Sequence, residues 1–122
     1  MAPTFASFAG VRPPGFVDGR SLRPLLSASP PSGRSALLVE HWRDRNGDPY
    51  AGTIPDYKAV RTARYLFVRY TNGERELYDL KNDPHECRDL HKNAPTELKR
   101  HLAARLDDLQ YCARQSCRSA EN

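Results

Sequence analysis

The sequence predicts an α+β domain: a small antiparallel sheet of about four strands, packed by a long C-terminal helix. Three observations predict it. Asn72-Gly73 sits between two alternating apolar runs, the strongest short-range hairpin signal. A further apolar run at residues 57–62 precedes that hairpin and another lies at residues 36–42. Leu98, Leu102, Leu106 and Leu109 then recur at helical spacing near the end of the chain.

A chain of 122 residues with 39% apolar and 28% charged residues supports one modest domain with a small core. No run approaches the ~18 apolar residues of a membrane span. The formal net charge is +4, but the basic residues are scattered among acidic ones. No helix carries a basic stripe with interleaved aromatics, so neither a nucleic-acid nor a membrane partner is expected.

Taken in order, residues 2–9 read as a short helix. Phe5 and Phe8 stand at helical spacing and Gly10 is the stop. Pro13-Pro14-Gly15 breaks the chain. Asp18-Gly19 makes a turn, and Leu22, Leu25 and Leu26 follow as an apolar anchor. Residues 27–35, rich in Ser, Pro and Gly, read as a flexible linker. The first strand, residues 36–42, is expected to bury Leu37, Leu38 and Val39. Residues 44–55 read as a polar loop.

A two-residue type I′ turn at Asn72-Gly73 would set Arg69 opposite Glu76, Phe67 opposite Tyr78 and Tyr65 opposite Leu80. It would place Leu66, Val68 and Tyr70 on the other face with Leu77 and Asp79. Asp83-Pro84 starts a turn that Leu90 packs down. Asn93 is the expected N-cap of the last helix, with Pro95 in its first turn and an end near Ala113. Its leucine stripe is expected to pack on the sheet.

The runs KAVRTARYLFVRY and GERELYDLKNDPHECRDL resemble the end of a type I sulfatase of the arylsulfatase and N-acetylglucosamine-6-sulfatase group. Glu76-Leu77-Tyr78-Asp79-Leu80 followed by Asp83-Pro84 is the most distinctive piece. The resemblance covers essentially the whole chain. It implies the C-terminal subdomain of the alkaline-phosphatase-like sulfatase fold. Residues 1–26 would then be the tail of the catalytic domain and the interdomain connection, and residues 36–122 the subdomain itself. Met1 stands where that family has an aliphatic residue inside a continuing chain.

Sulfatases of this type hydrolyse sulfate esters with a formylglycine made from a Cys or Ser in a Cys/Ser-x-Pro-x-Arg motif. A calcium ion held by Asp and Asn offsets the sulfate charge. Neither maps here. Cys87, Cys112 and Cys117 each lack proline two positions on, and Ser29 is followed four positions later by Gly33 rather than Arg. Asp107-Asp108 lies on a helix, where adjacent residues do not face one ion. His85, Cys87 and His91 lack a fourth ligand for zinc. No catalytic or metal residue is therefore assigned, and calcium and formylglycine are expected only in a full-length parent.

The resemblance implies that the subdomain buttresses the catalytic domain and shapes the rim of its substrate pocket. His41, Trp42 and Arg43, at the end of the first strand, are the candidate rim residues. Trp42 suits stacking on a ring, and His41 or Arg43 suits meeting an anion. The partners implied are a sulfatase catalytic domain, in the same chain or supplied in trans, and a sulfated carbohydrate. A stand-alone non-catalytic module that binds a sulfated glycan or a partner chain is the alternative.

Cys112 and Cys117 are spaced to close a small loop if the geometry permits; reduced thiols on a frayed tail fit the residues equally. The family's similar Cys-x4-Cys-Arg ending implies a disulfide. Cys87 is expected as a buried or semi-buried small hydrophobe. The parent is expected to be secreted or periplasmic. The N-terminus lacks the pattern of a signal peptide, which implies a cytoplasmic product if translation starts at Met1.

Overall fold

The computed structural model describes residues 1–27, 33–43 and 54–122. The expected linker falls partly, and the expected polar loop mostly, outside these residues. The chain begins with helix α1 (Ala2–Phe8) and a 3-10 turn (Arg23–Leu26). Strands β1 (Ala36–His41), β2 (Tyr57–Thr62), β3 (Tyr65–Tyr70) and β4 (Arg75–Asp79) follow. Helices α2 (Thr96–Gln110) and α3 (Gln115–Ala120) close the chain.

The four strands form one antiparallel meander in the order β1-β2-β3-β4. Side chains alternate between the two faces. One face presents Ala36, Val60, Phe67 and Leu77 to α2, whose Leu102, Leu106 and Leu109 complete the core. Leu98, first of the stripe, packs partly buried at its margin. Phe67, Leu77, Leu102, Leu106 and Val60 are almost wholly shut off from solvent. Burying each contributes roughly 1.5–3 kcal/mol. On the opposite face Ala59 and Val68 pair across strands and are buried. A row of rings runs beside them, His41 stacked on Tyr57 and Tyr57 edge-on to Tyr70.

The register of the β3–β4 hairpin differs by one residue from the expectation. Arg69 lies opposite Arg75, Phe67 opposite Leu77 and Tyr65 opposite Asp79. The loop has three residues, not two. Gly73 N–H donates to the Tyr70 carbonyl (3.2 Å) and Tyr70 N–H to the Glu74 carbonyl (3.0 Å). Gly73 alone takes a positive φ (+93°), while Asn72 stays at negative φ. This is a type I turn closed by a glycine bulge rather than a type I′ turn. Asn72 contributes through its side chain, whose Oδ1 accepts the Glu74 N–H at 3.0 Å. Leu77 thereby joins Phe67 on the core face. Glu76 moves to the other face and accepts hydrogen bonds from the Tyr70 (3.1 Å) and Tyr78 (3.0 Å) hydroxyls.

The acidic residues of the β4 motif hold backbone. Asp79, 7% exposed, pairs with Arg64 at 3.0 Å and accepts from the Lys81 N–H and the Asn82 side chain. Asp89 accepts the N–H groups of Leu77 and His91, and Asp83 accepts that of Arg88. Leu90 N–H reaches the Leu77 carbonyl at 2.7 Å. The outer edge of β4 is thus covered by the chain that follows it.

Other expectations need correction. Leu37 (40% exposed) and Val39 (37%) project from the face without a helix, so Ala36 rather than either is the buried residue of β1. Leu25 and Leu26 are exposed in the 3-10 turn rather than buried as an apolar anchor. The N-cap of α2 is Pro95, not Asn93. The N–H groups of Asn93 and Ala94 are already used in a turn onto the Leu90 carbonyl. The helix stops at Gln110, and α3 forms beyond it. Cys87 is exposed on its turn. Cys112 and Cys117 are joined by a disulfide.

Candidate substrate-rim site

The C-terminal end of β1, the start of β2 and the end of β3 meet at one end of the sheet. They line a pocket of about 220 Å³ with Trp42, Asp56, Tyr57, Lys58, Arg69 and Tyr70. The antiparallel register brings these groups together: Lys58 lies opposite Glu40 on one side and Arg69 on the other. Lys58 Nζ sits 5.5 Å from the Trp42 ring centroid, within cation–π range, and 3.3 Å from Glu40. Arg69 is held by Asp107 of α2 at 2.8 Å, which Gln110 also contacts at 2.7 Å. The expected Arg69–Glu76 pair is replaced by this one, since the register puts Glu76 on the opposite face.

The three candidate rim residues have different surroundings. Trp42 is 62% exposed and lines the pocket. His41 points to the other face of the sheet, its ring centroid 5.3 Å from that of Tyr57. Arg43 is committed to Asp56, donating its N–H to Oδ1 at 2.6 Å with its guanidinium 3.6 Å away. The strand alternation therefore separates His41 from Trp42. Lys58, Arg69 and Tyr70 were not singled out from sequence; the signal for them lay in strand pairing rather than in any motif. Burial, reinforced by Glu76, pushes the Tyr70 phenol up to about 12, and burial likewise raises Tyr78. Both hydroxyls stay protonated donors at neutral pH.

This arrangement can bind and orient. The exposed indole suits stacking on a ring, while the Lys58 and Arg69 cations beside it are already paired with Glu40 and Asp107. The sequence holds no Cys/Ser-x-Pro-x-Arg motif, and among the described residues no group of three His, Cys, Asp or Glu could share an ion. His85, Cys87 and His91 do not converge on one point. The Cys87 thiol faces the His85 carbonyl at 3.6 Å, while His91 lies by Phe67 with ring centroids 6.2 Å apart.

Comparison with known proteins places this geometry. A family model described as N-sulphoglucosamine sulphohydrolase, C-terminal, matches residues 1–112. An N-acetylglucosamine-6-O-sulfatase of Bacteroides thetaiotaomicron is 30% identical over 95 residues, covering 74% of this chain and 16% of the relative. A Δ4,5-hexuronate-2-O-sulfatase of the same organism is 31% identical over 94 residues, covering 76% and 19%. A solved structure in complex with its substrate D-glucosamine-2-N,6-O-disulfate superposes with a TM-score of 0.78 at 26% identity. That superposition covers 97% of this chain and 24% of that one. The chain thus spans less than a fifth of the length of these two curated relatives. On the strength of the family match over most of its length, the chain belongs to the N-sulphoglucosamine sulphohydrolase C-terminal family, the C-terminal domain of sulfatases.

Proposed function

We propose that this domain serves a longer sulfuric ester hydrolase as its C-terminal support. It buttresses the catalytic domain and lends Trp42 to the edge of the substrate pocket. The observation that carries this reading is the family match over residues 1–112, joined to a sequence without the sulfatase nucleophile motif. The nucleophile and a calcium ion would come from the remainder of the parent, in the same chain or in trans. The substrate class we propose is a sulfated amino sugar. Its support is the pairing of Trp42 with Lys58 and the sulfated glucosamine bound by the superposed structure. A secreted or periplasmic parent fits the Cys112–Cys117 disulfide.

The test is sulfate release from glucosamine-6-sulfate and N-sulfoglucosamine. The 122-residue chain is expected to release none, and the parent enzyme to release it. In the parent, Trp42→Ala is expected to raise KM with kcat little changed, the mark of lost binding shared by ground and transition states. Turnover by the short chain alone would overturn the reading.

A further inference from the structure

Trp42 follows β1 and Asp56 precedes β2. Because His41 pairs with Tyr57, the next step of the register sets these two residues side by side. Both line the 220 Å³ pocket. The indole is 62% exposed, so packing does little to fix its rotamer. Contacts from two other residues restrict it.

Asp56 is 7% exposed. Its Oδ1 accepts the Arg43 N–H at 2.6 Å, which pins the backbone directly after Trp42. Its carbonyl accepts the Thr71 N–H at 2.9 Å, which ties the same residue to the β3–β4 loop. The end of β1 is thereby held against its neighbours where a strand end would otherwise fray. Lys58 acts on the ring itself. Its ammonium lies over the indole, 5.5 Å from the centroid, and its cross-strand neighbour Glu40 holds it at 3.3 Å. A cation over one face of the indole leaves the opposite face for stacking.

We infer that Asp56 and Lys58 are positioning residues. They hold the Trp42 indole in one orientation, with one face taken by the lysine and the other open to a single planar or sugar ring. The fixed indole stands on these contacts. Its use at a substrate edge rests on the rim reading above, and the experiment separates the two.

Trp42 is the only tryptophan of the sequence, so its fluorescence reports this position alone. Time-resolved anisotropy of the 122-residue chain separates fast swinging of the ring from tumbling of the whole domain. In the unaltered chain the slow component is expected to dominate. Lys58→Met removes the cation and keeps a long side chain. It is expected to lower the ratio of slow to fast amplitude about two- to fivefold, the worth of an exposed cation–π contact. Asp56→Ala is expected to lower it further. Asp56→Asn, which keeps an oxygen for the Arg43 N–H, is expected to recover most of that loss. Leu106→Ala, measured well below its melting midpoint, weakens the core without touching the indole and should leave the ratio unchanged. Lys58 is partly exposed, so its variant folds and decides the matter even where Asp56→Ala does not. Decays that match in Lys58→Met and the unaltered chain overturn the proposal, as does an equal loss in Leu106→Ala. In the parent enzyme, Lys58→Met is expected to raise KM with kcat little changed, and to add nothing once Trp42 is already alanine. A looser indole with an unmoved KM keeps the positioning and overturns the rim reading.

Discussion

Leu106→Ala probes the joint between α2 and the sheet. Leu106 is 0% exposed and packs in the cluster formed by Val60, Phe67 and Leu77 with Leu102 and Leu109. Truncation removes the transfer free energy of the lost carbons and leaves a cavity that the sheet, tied by hydrogen bonds, cannot collapse to fill. Together these cost about 3 kcal/mol. Against an unfolding entropy of about 2.1 cal/mol/K per residue, that lowers Tm by about 12 °C. In urea, with a slope of about 2 kcal/mol/M, the midpoint falls by about 1.5 M. Leu26→Ala is the matched control: the same atoms are deleted, but Leu26 is 71% exposed, and the change should stay within about 0.5 kcal/mol. The assay is paired denaturant melts followed by circular dichroism. Equal effects of the two substitutions, or a loss under about 1 kcal/mol at Leu106, would refute the claim that α2 is welded to the sheet by this stripe.

Gly73→Ala should cost about 1–2 kcal/mol in the same melts. Its φ is +93° but nothing lies within 4 Å of an added Cβ, so the loss comes from backbone strain, not from a clash. A double-mutant cycle on Arg69 and Asp107 should show a coupling of about 0.2–1 kcal/mol, as expected for a half-exposed pair. A cycle on Arg69 and Glu76 should show none, and coupling there would restore the rejected register. Burial, with Lys99 nearby, holds the His91 imidazole below its ordinary value. The unfolded chain therefore binds more protons than the folded one as pH falls through about 6.5. Stability supplied by the neutral ring is full above that pH and declines as pH drops towards the folded value. His91→Gln should flatten this part of the stability profile, as read by melts between pH 4 and 8.

Much of the fold could be read in the sequence because each element carried a periodic signal. The four strands alternate, and the leucines at 98, 102, 106 and 109 recur at one helical spacing. Register was harder. Asn-Gly fits both a two-residue type I′ turn and a three-residue bulged loop, and only the φ of Asn72 separates them. Tertiary context also decided Leu37 and Val39. Both are strand-forming and apolar, yet they lie on the face that α2 does not cover. Trp42 stood out because an aromatic at a strand end is conspicuous. Lys58 and Arg69 reach the same pocket through strand pairing, which no local pattern encodes.

The size of the natural product in the source cell tests the central claim most directly. An antiserum raised against the α2 segment, Thr96–Gln110, would be used on an immunoblot. The account predicts a band several times larger than 13.8 kDa, with sulfatase activity in the same fraction. A single band near 13.8 kDa would contradict it and leave a free-standing binding module in its place.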